Sequence, residues 1–245
     1  MNQLYLVGMG PGNLEKMTEE ARQAIAASDV VVGYDHYIEL IAPLIKDQKI
    51  VSNGMRKEVD RCREAIGQAF EGRNVSVVSS GDAGVYGMAG LVYEILAAEE
   101  KKTDFGVKVI PGVTAANAAA SVLGAPLMHD YVTISLSDLM TPWEVIEKRL
   151  LSAAQGDFIV AIYNPKSKKR SDYVKKAKEL LMTEKSRDTV CGVVRNAGRT
   201  EESSVITTLE KLDEEYIDMF STVIVGNSNT YEYQGKMITP RGYAL

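Results

Sequence analysis

The chain has 245 residues, of which 45% are hydrophobic, and its formal net charge is −5 at pH 7. This length and apolar content suit one large globular domain or two smaller ones, and the acidic balance gives no global attraction to nucleic acid. Because no apolar run approaches about 18 residues and no basic leader precedes the first apolar segment, we expect a cytoplasmic protein without membrane contact.

The cysteines and histidines do not form a metal-binding or disulfide pattern. Cys62 and Cys191 lack the spacing of a zinc or redox motif, and His36 and His129 lie far apart in the sequence. We therefore expect neither a structural zinc site nor a disulfide framework.

Short runs rich in Val, Ile and Leu alternate with amphipathic stretches along the whole chain, which indicates an α/β fold with mostly parallel or mixed sheets. The predicted strands are 3–8, 29–33, 49–54, 74–81, 107–113, 131–137, 157–164, 189–196, 203–209 and 221–227. The predicted helices of the first half are 18–27, 37–45, 57–70 and 87–99. A small-residue helix within 112–130 joins the halves, which gives two α/β domains, 1–113 and 114–245.

Two helices of the second half carry start signals. Thr141 is the predicted N-cap of the first, with Glu144 completing a capping box and Gly156 following the last turn. Ser171 is the predicted N-cap of the second.

The turn after the first strand, "GMGPG", resembles part of a dinucleotide fingerprint without completing it. The place of the third glycine is taken by Asn13, and Pro11 removes a backbone N–H from a loop that would have to present such groups to a phosphate. We therefore expect no dinucleotide site here, and a plain tight turn is the alternative.

Glycine-rich turns follow other strands, where α/β sheets bind their ligands. In "SSGDAGVYG", Asp82 is placed to accept hydrogen bonds from a ligand amine or hydroxyl, or to cap the helix that begins near Gly87. In "TAAN", Thr114 is a candidate helix cap, and the alanines after it leave room for a flat group or serve tight helix packing.

Two further features allow either a functional or a structural interpretation. The run "PKSKKR" is a local basic rim suited to a small polyanion, or the solvated face of a helix. His36 and His129 each stand beside an acid and could carry protons, or be ordinary structural histidines.

Taken together, "VGMGPG", "SSGDAGVYG", "GVTAANAAAS" and "RNAGR" resemble, in this order, the tetrapyrrole methyltransferases. That family uses S-adenosylmethionine on a two-domain α/β fold distinct from the Rossmann methyltransferases, and the resemblance runs end to end. Within the family, "VVGYDHYIELI" and "IYNPKSKKRSDYV" are similar to the cobalamin-pathway members that methylate carbon 17 of precorrin-3B or cobalt-factor III and contract the macrocycle. One departure is Ala83, where many members have proline, a change that affects loop stiffness.

The resemblance implies an active-site cleft between the domains, with "GMGPG" at its floor. It implies that S-adenosylmethionine, released as S-adenosylhomocysteine, is contacted by Pro11, Ser80, Gly81, Asp82, Val85, Thr114, Ala115, Tyr163, Asn164, Asn196 and Ala197. The tetrapyrrole substrate is expected to contact Gly10, Gly12, Arg56, Lys166 and Arg170, the last three through its carboxylates.

The same resemblance implies a homodimer with a small-molecule substrate, while the net charge of −5 and the unclustered cysteines and histidines predict no nucleic-acid partner and no metal. Asp35 and His36 are the candidates for proton transfer during ring contraction. Two alternatives stay open. One is a family member with another substrate, such as uroporphyrinogen, another precorrin, ribosomal RNA or the diphthamide precursor, although "GYDHY" and "PKSKKR" disfavour it. The other is a non-catalytic corrinoid carrier or chaperone.

Overall fold

The chain folds into two compact units, Met1–Thr114 and Ala115–Leu245, each with its own five-stranded sheet. The computed structural model describes residues 1–54, 57–99, 103–167 and 170–244. The α/β class predicted from the sequence is confirmed.

The first unit is a parallel sheet with strand order β3-β2-β4-β1-β5. Its strands are β1 Gln3–Gly8, β2 Val30–Tyr34, β3 Lys49–Asn53, β4 Val75–Ser79 and β5 Gly106–Ile110. Its helices are α1 Glu19–Ala26, α2 Asp35–Ile41, α3 Glu58–Phe70 and α4 Ala89–Ala98, with 3-10 turns at Leu14–Lys16 and Ala42–Leu44.

Both faces of the inner strands of this sheet are buried, because alternate side chains point to opposite faces and both sets are apolar, whereas the edge strands β3 and β5 are partly exposed. Val30 and Val32 of β2 pack in one cluster with α3 and α4, whereas Val31 packs in another with α1 and α2. Because all five strands are parallel, the loops that follow them lie at the same edge of the unit.

The second unit has a mixed sheet with strand order β10-β9-β11-β8-β7. Its strands are β6 Gly124–Ala125, β7 Tyr131–Ser135, β8 Ile159–Tyr163, β9 Val190–Arg195, β10 Ser203–Thr208, β11 Ser221–Val225, β12 Tyr231–Tyr233 and β13 Lys236–Ile238. Its helices are α5 Ala115–Leu123, α6 Trp143–Gln155 and α7 Tyr173–Leu181, with a 3-10 turn at Leu212–Glu214. β7 and β8 are parallel, β11 runs antiparallel to both β8 and β9, and β10 runs antiparallel to β9. β12, β13 and β6 form a separate small sheet that the sequence patterns did not predict.

The small-residue helix α5 packs on the second sheet. Ala119 and Leu123 share a buried cluster with Val194 of β9, and a Cβ at Gly192 would lie only 2.4 Å from Leu123 Cδ1. The tight-packing interpretation therefore accounts for the middle of α5, while Ala115 at its start is partly exposed.

The predicted helix starts of the second unit were wrong. α6 has Pro142 as its N-cap without a side-chain hydrogen bond, so Thr141 and Glu144 do not form the expected capping box, although Gly156 follows the last turn as predicted. α7 has Asp172 rather than Ser171 as its N-cap, again without a side-chain hydrogen bond. The polar residue nearest a helix start is thus not sufficient evidence for a cap.

Candidate functional site

Three turns of the first unit, after β1, β4 and β5, touch through their backbones. A Cβ at Gly8 would lie 2.7 Å from the Gly112 nitrogen and 2.8 Å from the Gly81 oxygen. A Cβ at Gly112 would lie 2.2 Å from the Gly81 oxygen and 2.6 Å from the Gly8 oxygen. Glycine is therefore required at Gly8 and Gly112 because no side chain fits between the turns.

In the turn after β1, backbone N–H groups donate hydrogen bonds to other parts of the same unit. Gly10 N–H donates to the Gly81 oxygen at 3.0 Å, Gly81 N–H donates back at 2.8 Å, and Met9 N–H donates to the Ser79 oxygen at 2.9 Å. These N–H groups are not available to a bound phosphate. Gly10 and Gly12, the predicted substrate contacts in this turn, have φ of 71° and 125°, and Pro11 between them is buried.

Asp82 joins two of these turns through its carboxylate. Oδ1 accepts the N–H of Gly84 at 2.8 Å within its own turn, and Oδ2 accepts the N–H of Gly112 at 3.0 Å across to the turn after β5. The alternative that Asp82 caps the next helix is wrong, because α4 begins at Ala89 with Met88 as its N-cap and no side-chain cap. Asp82 instead holds two turns at a fixed separation.

The remaining residues of the turn after β4 lie at the surface edge of the first unit. Ser80 and Val85 are half-buried, and Gly81 has a left-handed φ of 70°. Tyr86, with φ of 55°, is 54% exposed. A non-glycine residue in this conformation marks a strained turn, a feature that clusters at ligand sites.

The turn after β2 carries the candidate proton-transfer residues. Asp35 is the first residue of α2 and is exposed, while His36 is half-buried. His36 Nδ1 lies 3.3 Å from Glu39 Oε2, one turn further along the helix. The structure therefore pairs the imidazole with Glu39, a residue that the sequence interpretation did not include.

In the second unit, Tyr163 is the last residue of β8 and Asn164 follows it. Tyr163 Oη accepts the N–H of Ala116 at 2.9 Å, which satisfies one of the free donors in the first turn of α5, directly after Thr114 and Ala115. Asn164 has a left-handed φ of 49°, and its Nδ2 donates to Ser135 Oγ at 3.0 Å.

The predicted pair Asn196 and Ala197 follows β9. Asn196 has φ of 52°, its N–H donates to the Phe220 oxygen at 3.1 Å, and its own oxygen accepts Arg199 N–H at 2.8 Å. Ala197 packs at the margin of the cluster that contains Leu123.

The basic rim separates into a buried and a solvated part. Arg170 donates from Nε to Ser167 Oγ at 3.1 Å, and its Nη1 lies 3.6 Å from Asp138 Oδ1. Nη1 is buried and has no hydrogen-bond partner among the residues that the structure describes. Lys166 is half-buried. On the helix α7 that follows the rim, Lys176 pairs with Asp172 at 2.8 Å on the exposed face, whereas Lys178 is partly buried beside Asp213, so the solvated-face alternative holds for only part of this helix. Arg56, the remaining predicted substrate contact, lies outside the described residues.

Both cysteines are buried and free. Burial raises the pKa of Cys62 to about 11 and raises that of Cys191 further above its ordinary value, so both thiols are protonated at neutral pH. In the described ranges, no group of three or more Cys, His, Asp or Glu side chains is arranged to hold a metal ion. In the same ranges, no helix combines the length and the apolar character that crossing a membrane requires.

Comparison with known proteins places this geometry in a family. The sequence profile of the tetrapyrrole (corrin/porphyrin) methylases matches residues 3–213. The chain is 52% identical over 242 residues to the cobalt-factor III methyltransferase of Priestia megaterium, with 98% of this chain and 45% of that protein covered. It thus spans less than half the length of that relative.

Other relatives match this chain over their whole length. The probable cobalt-factor III C(17)-methyltransferase of Salmonella typhimurium is 50% identical over 242 residues, with 99% of this chain and 100% of that protein covered. The precorrin-3B C(17)-methyltransferase of a Sinorhizobium species is 40% identical over 249 residues, covering 98% and 97%. The crystal structure of the methyltransferase CobJ superposes with a TM-score of 0.93 at 37% identity, covering 98% and 100%. The chain therefore belongs to the tetrapyrrole (corrin/porphyrin) methylases.

Proposed function

We propose that this chain methylates carbon 17 of a corrin precursor with S-adenosylmethionine and contracts the macrocycle, as a step of cobalamin biosynthesis. The observation that carries this proposal is the match to the Salmonella relative, which is 50% identical and covers 99% of this chain and 100% of that protein. The high structural similarity to CobJ supports the same reading.

Cobalt-factor III is the preferred substrate in this proposal. Identity to the two relatives named for cobalt-factor III is 52% and 50%, against 40% for the relative named for precorrin-3B. The cobalt would arrive inside the macrocycle as part of the substrate, so the protein needs no metal site of its own.

The turns at the carboxyl ends of the strands fit S-adenosylmethionine, which supplies a methyl group on a sulfonium. The glycine-crowded turns of the first unit leave backbone rather than side chains at their surface, and Ala115 offers a small, partly exposed site for a flat ring. We propose the cofactor contacts Pro11, Ser80, Gly81, Asp82, Val85, Thr114, Ala115, Tyr163, Asn164, Asn196 and Ala197.

Alignment supplies most of the methyl-transfer rate in this proposal. A sulfonium methyl is a good electrophile, and holding the acceptor carbon in line with it lowers the barrier by several kcal/mol, about 7 or more in well-oriented systems. The Gly10 to Gly12 turn suits this role because its backbone is fixed by the paired hydrogen bonds to Gly81. Gly10 and Gly12 contact the substrate.

Ring contraction also requires proton transfer, which we assign to Asp35 and His36. Both residues stand at the start of α2, and the imidazole is exposed enough to reach a ligand. Glu39 beside Nδ1 favours the tautomer in which Nδ1 carries the hydrogen, and in that tautomer Nε2 is the nitrogen that accepts a proton.

Arg56, Lys166 and Arg170 are the proposed partners of the substrate carboxylates. The support comes from Arg170, whose Nη1 has no hydrogen-bond partner among the described residues. The Asp138 carboxylate lies 3.6 Å from Nη1, close enough for an ion pair but too far for a hydrogen bond, and a substrate carboxylate would supply that hydrogen bond. We further propose a cytoplasmic homodimer that binds this small molecule and no nucleic acid.

The experiment that tests the proposal measures methyl transfer from labelled S-adenosylmethionine to cobalt-factor III, precorrin-3B and uroporphyrinogen. We expect the highest kcat/KM with cobalt-factor III. Preference for uroporphyrinogen would replace the proposed substrate with another of the family, and binding without label transfer to any of the three would indicate a carrier.

A further inference from the structure

The turn after β9 is held by the carboxylate of Glu202 on one side and by the backbone oxygen of Phe220 on the other, and the sequence interpretation singled out neither residue. On one side, Gly198 N–H donates to Glu202 Oε2 at 2.6 Å. On the other side, Asn196 N–H donates to the oxygen of Phe220, which lies just before β11. The conformation of Asn196 therefore depends on where the Phe220 backbone is fixed.

Asp218 fixes that backbone. Its Oδ1 accepts the Phe220 N–H at 2.9 Å and the Ser221 hydroxyl at 3.0 Å, and its Oδ2 accepts Nε of Arg195 at 2.7 Å. Arg195 is covalently joined to Asn196, so the contacts form a closed loop from Asp218 through Phe220 to Asn196 and back through Arg195. Asp218 thus contacts both Arg195, which precedes Asn196, and Phe220, whose oxygen accepts the Asn196 N–H, and it adds to the pairing of Ser221 with Arg195 between β11 and β9.

The charge of Asp218 is part of this arrangement. Burial by itself raises the pKa of Asp218, but the guanidinium of Arg195 and the donors of Phe220 and Ser221 outweigh it, and the pKa lies below its ordinary value. The Tyr216 ring lies 5.6 Å from Cζ of Arg195 and covers the guanidinium. Charge-assisted hydrogen bonds of this kind are stronger than neutral ones and fix geometry more closely.

We propose that Asp218 is a positioning residue of the methyltransferase: it sets the Asn196–Ala197 turn in the conformation that binds S-adenosylmethionine. This inference rests on the proposed function, because it takes Asn196 and Ala197 as cofactor contacts. Asp218 itself is not expected to touch the cofactor, since the acceptors of its carboxylate are occupied by the protein.

The test uses Asp218→Asn in the full chain, which keeps the size of the side chain and removes the ion pair with Arg195. We expect the Kd for S-adenosylhomocysteine, measured by calorimetry, and the KM for S-adenosylmethionine to rise about tenfold, the usual cost of a lost charged hydrogen bond. We expect kcat at saturating S-adenosylmethionine to stay within about twofold, because the reacting atoms are untouched once the cofactor is bound.

Asp213→Asn is the matched control, because Asp213 pairs with Lys178 in the same unit, away from this turn. We expect it to leave the Kd and KM unchanged. A merely structural role of Asp218 would reduce the folded fraction and hence kcat, with KM unchanged. The inference would be overturned by a lower kcat with unchanged KM in Asp218→Asn or by an unchanged Kd in this variant. It would also be overturned if Asp213→Asn raised the Kd by the same factor.

Two further measurements keep the inference testable. If Asp218→Asn does not fold, Arg195→Gln removes the same ion pair from the other side. We expect this variant to raise the Kd for S-adenosylhomocysteine about threefold. An unchanged Kd would overturn the inference. In ligand-free protein, exchange of the Asn196 amide hydrogen should be faster in the variant than in the wild type, and equal rates contradict the positioning role. If wild-type protein binds no S-adenosylhomocysteine, the proposed function fails first, and the exchange result still shows whether Asp218 holds the turn.

Discussion

The two units hold the turns that follow their strands in different ways. In the first unit, the turns after β1, β4 and β5 meet backbone to backbone, with Gly8, Gly81 and Gly112 at the crossing. In the second unit, the turns after β8 and β9 are braced by side chains, through Ser135 to Asn164 and through Asp218 to the segment before β11. The first unit therefore requires glycine at positions 8 and 112, because no side chain fits there. The second unit instead requires particular side chains that hold its turns.

Strand direction explains this difference. β4, β1 and β5 are adjacent and parallel, so their carboxyl ends leave the sheet side by side and the following turns have to pass close together. β8 and β9 are separated by the antiparallel β11, so the turns that follow them are not neighbours and each needs its own support. The start of β11 lies beside the end of β9, which brings Asp218 to Arg195.

The largest expected effect of a single substitution on stability is where the turns after β1, β4 and β5 meet at Gly8, Gly81 and Gly112. Gly112→Ala would place a methyl group 2.2 Å from the Gly81 oxygen and should lower the free energy of unfolding by at least about 3 kcal/mol. Gly67→Ala is the matched control, because Gly67 lies in α3 with nothing within 4 Å of its Cβ position, and should raise the free energy by about 0.5–1 kcal/mol. Chemical denaturation measures both. If Gly112→Ala changed the free energy of unfolding as little as Gly67→Ala does, the first unit would not depend on close backbone contact between these turns.

The turn after β2 is the place in the first unit where side chains rather than backbone are expected to matter. His36→Ala should still consume S-adenosylmethionine, because methyl transfer depends on alignment, but should form the contracted ring about 100-fold more slowly, the worth of a positioned acid or base. Mass spectrometry should detect a methylated, uncontracted macrocycle.

The control for this variant is His129→Ala, which removes the exposed histidine beside Asp130 in the second unit. It should leave both reactions unchanged. Normal contraction by His36→Ala would remove His36 from the mechanism, and equal loss of both reactions would mean that it orients the substrate.

The side chain of Asp82 helps to hold the glycine-rich turns of the first unit together, so its removal tests how much these turns depend on backbone contact alone. Asp82→Ala leaves the N–H groups of Gly84 and Gly112 without their acceptors and should lower the free energy of unfolding by about 2 kcal/mol, with weaker binding of S-adenosylhomocysteine. Thermal melting and calorimetry report the two effects, and the exposed Asp47 of the same unit provides a neutral control as Asp47→Ala. Weaker binding at full stability would show that the carboxylate serves the ligand alone.

The smallest expected effect is at Asn164. Asn164→Ala puts an alanine at φ of 49° and removes the hydrogen bond to Ser135, which should cost about 1 kcal/mol of stability. Asn164→Gly keeps the conformation accessible and should cost clearly less. Equal losses in the two variants would show that the hydrogen bond, and not the left-handed backbone, is what matters at this turn.

Local patterns predicted the strands well, because buried strands are recognisable from a few adjacent apolar residues. β1 has the predicted bounds, and Thr18 caps α1 at the predicted start, with Oγ1 accepting the Ala21 N–H. Thr141 was wrongly predicted as the cap of α6, because Pro142 has an extended ψ of 145° and is itself the N-cap, so the helix begins one residue later than predicted, at Trp143.

What the sequence alone did not reveal are contacts between segments that are distant in the chain. Asp82 was predicted either to bind a ligand or to cap a helix, and neither local alternative included the contact of one of its oxygens with Gly112, 30 positions away. Asp218 gave no local signal, although Arg195 at the end of a buried strand required an anionic partner from somewhere in the fold. Strand order and direction decide these pairings, and they follow from the whole sheet rather than from any short motif.

The position of the transferred methyl group tests the central claim most directly. Purified chain, cobalt-factor III and S-adenosylmethionine with a carbon-13 methyl group should give a product whose label lies on carbon 17 of a contracted macrocycle, as observed by carbon-13 NMR and mass spectrometry. A label on another ring carbon, or a labelled macrocycle that remains uncontracted with the wild-type chain, would contradict the account.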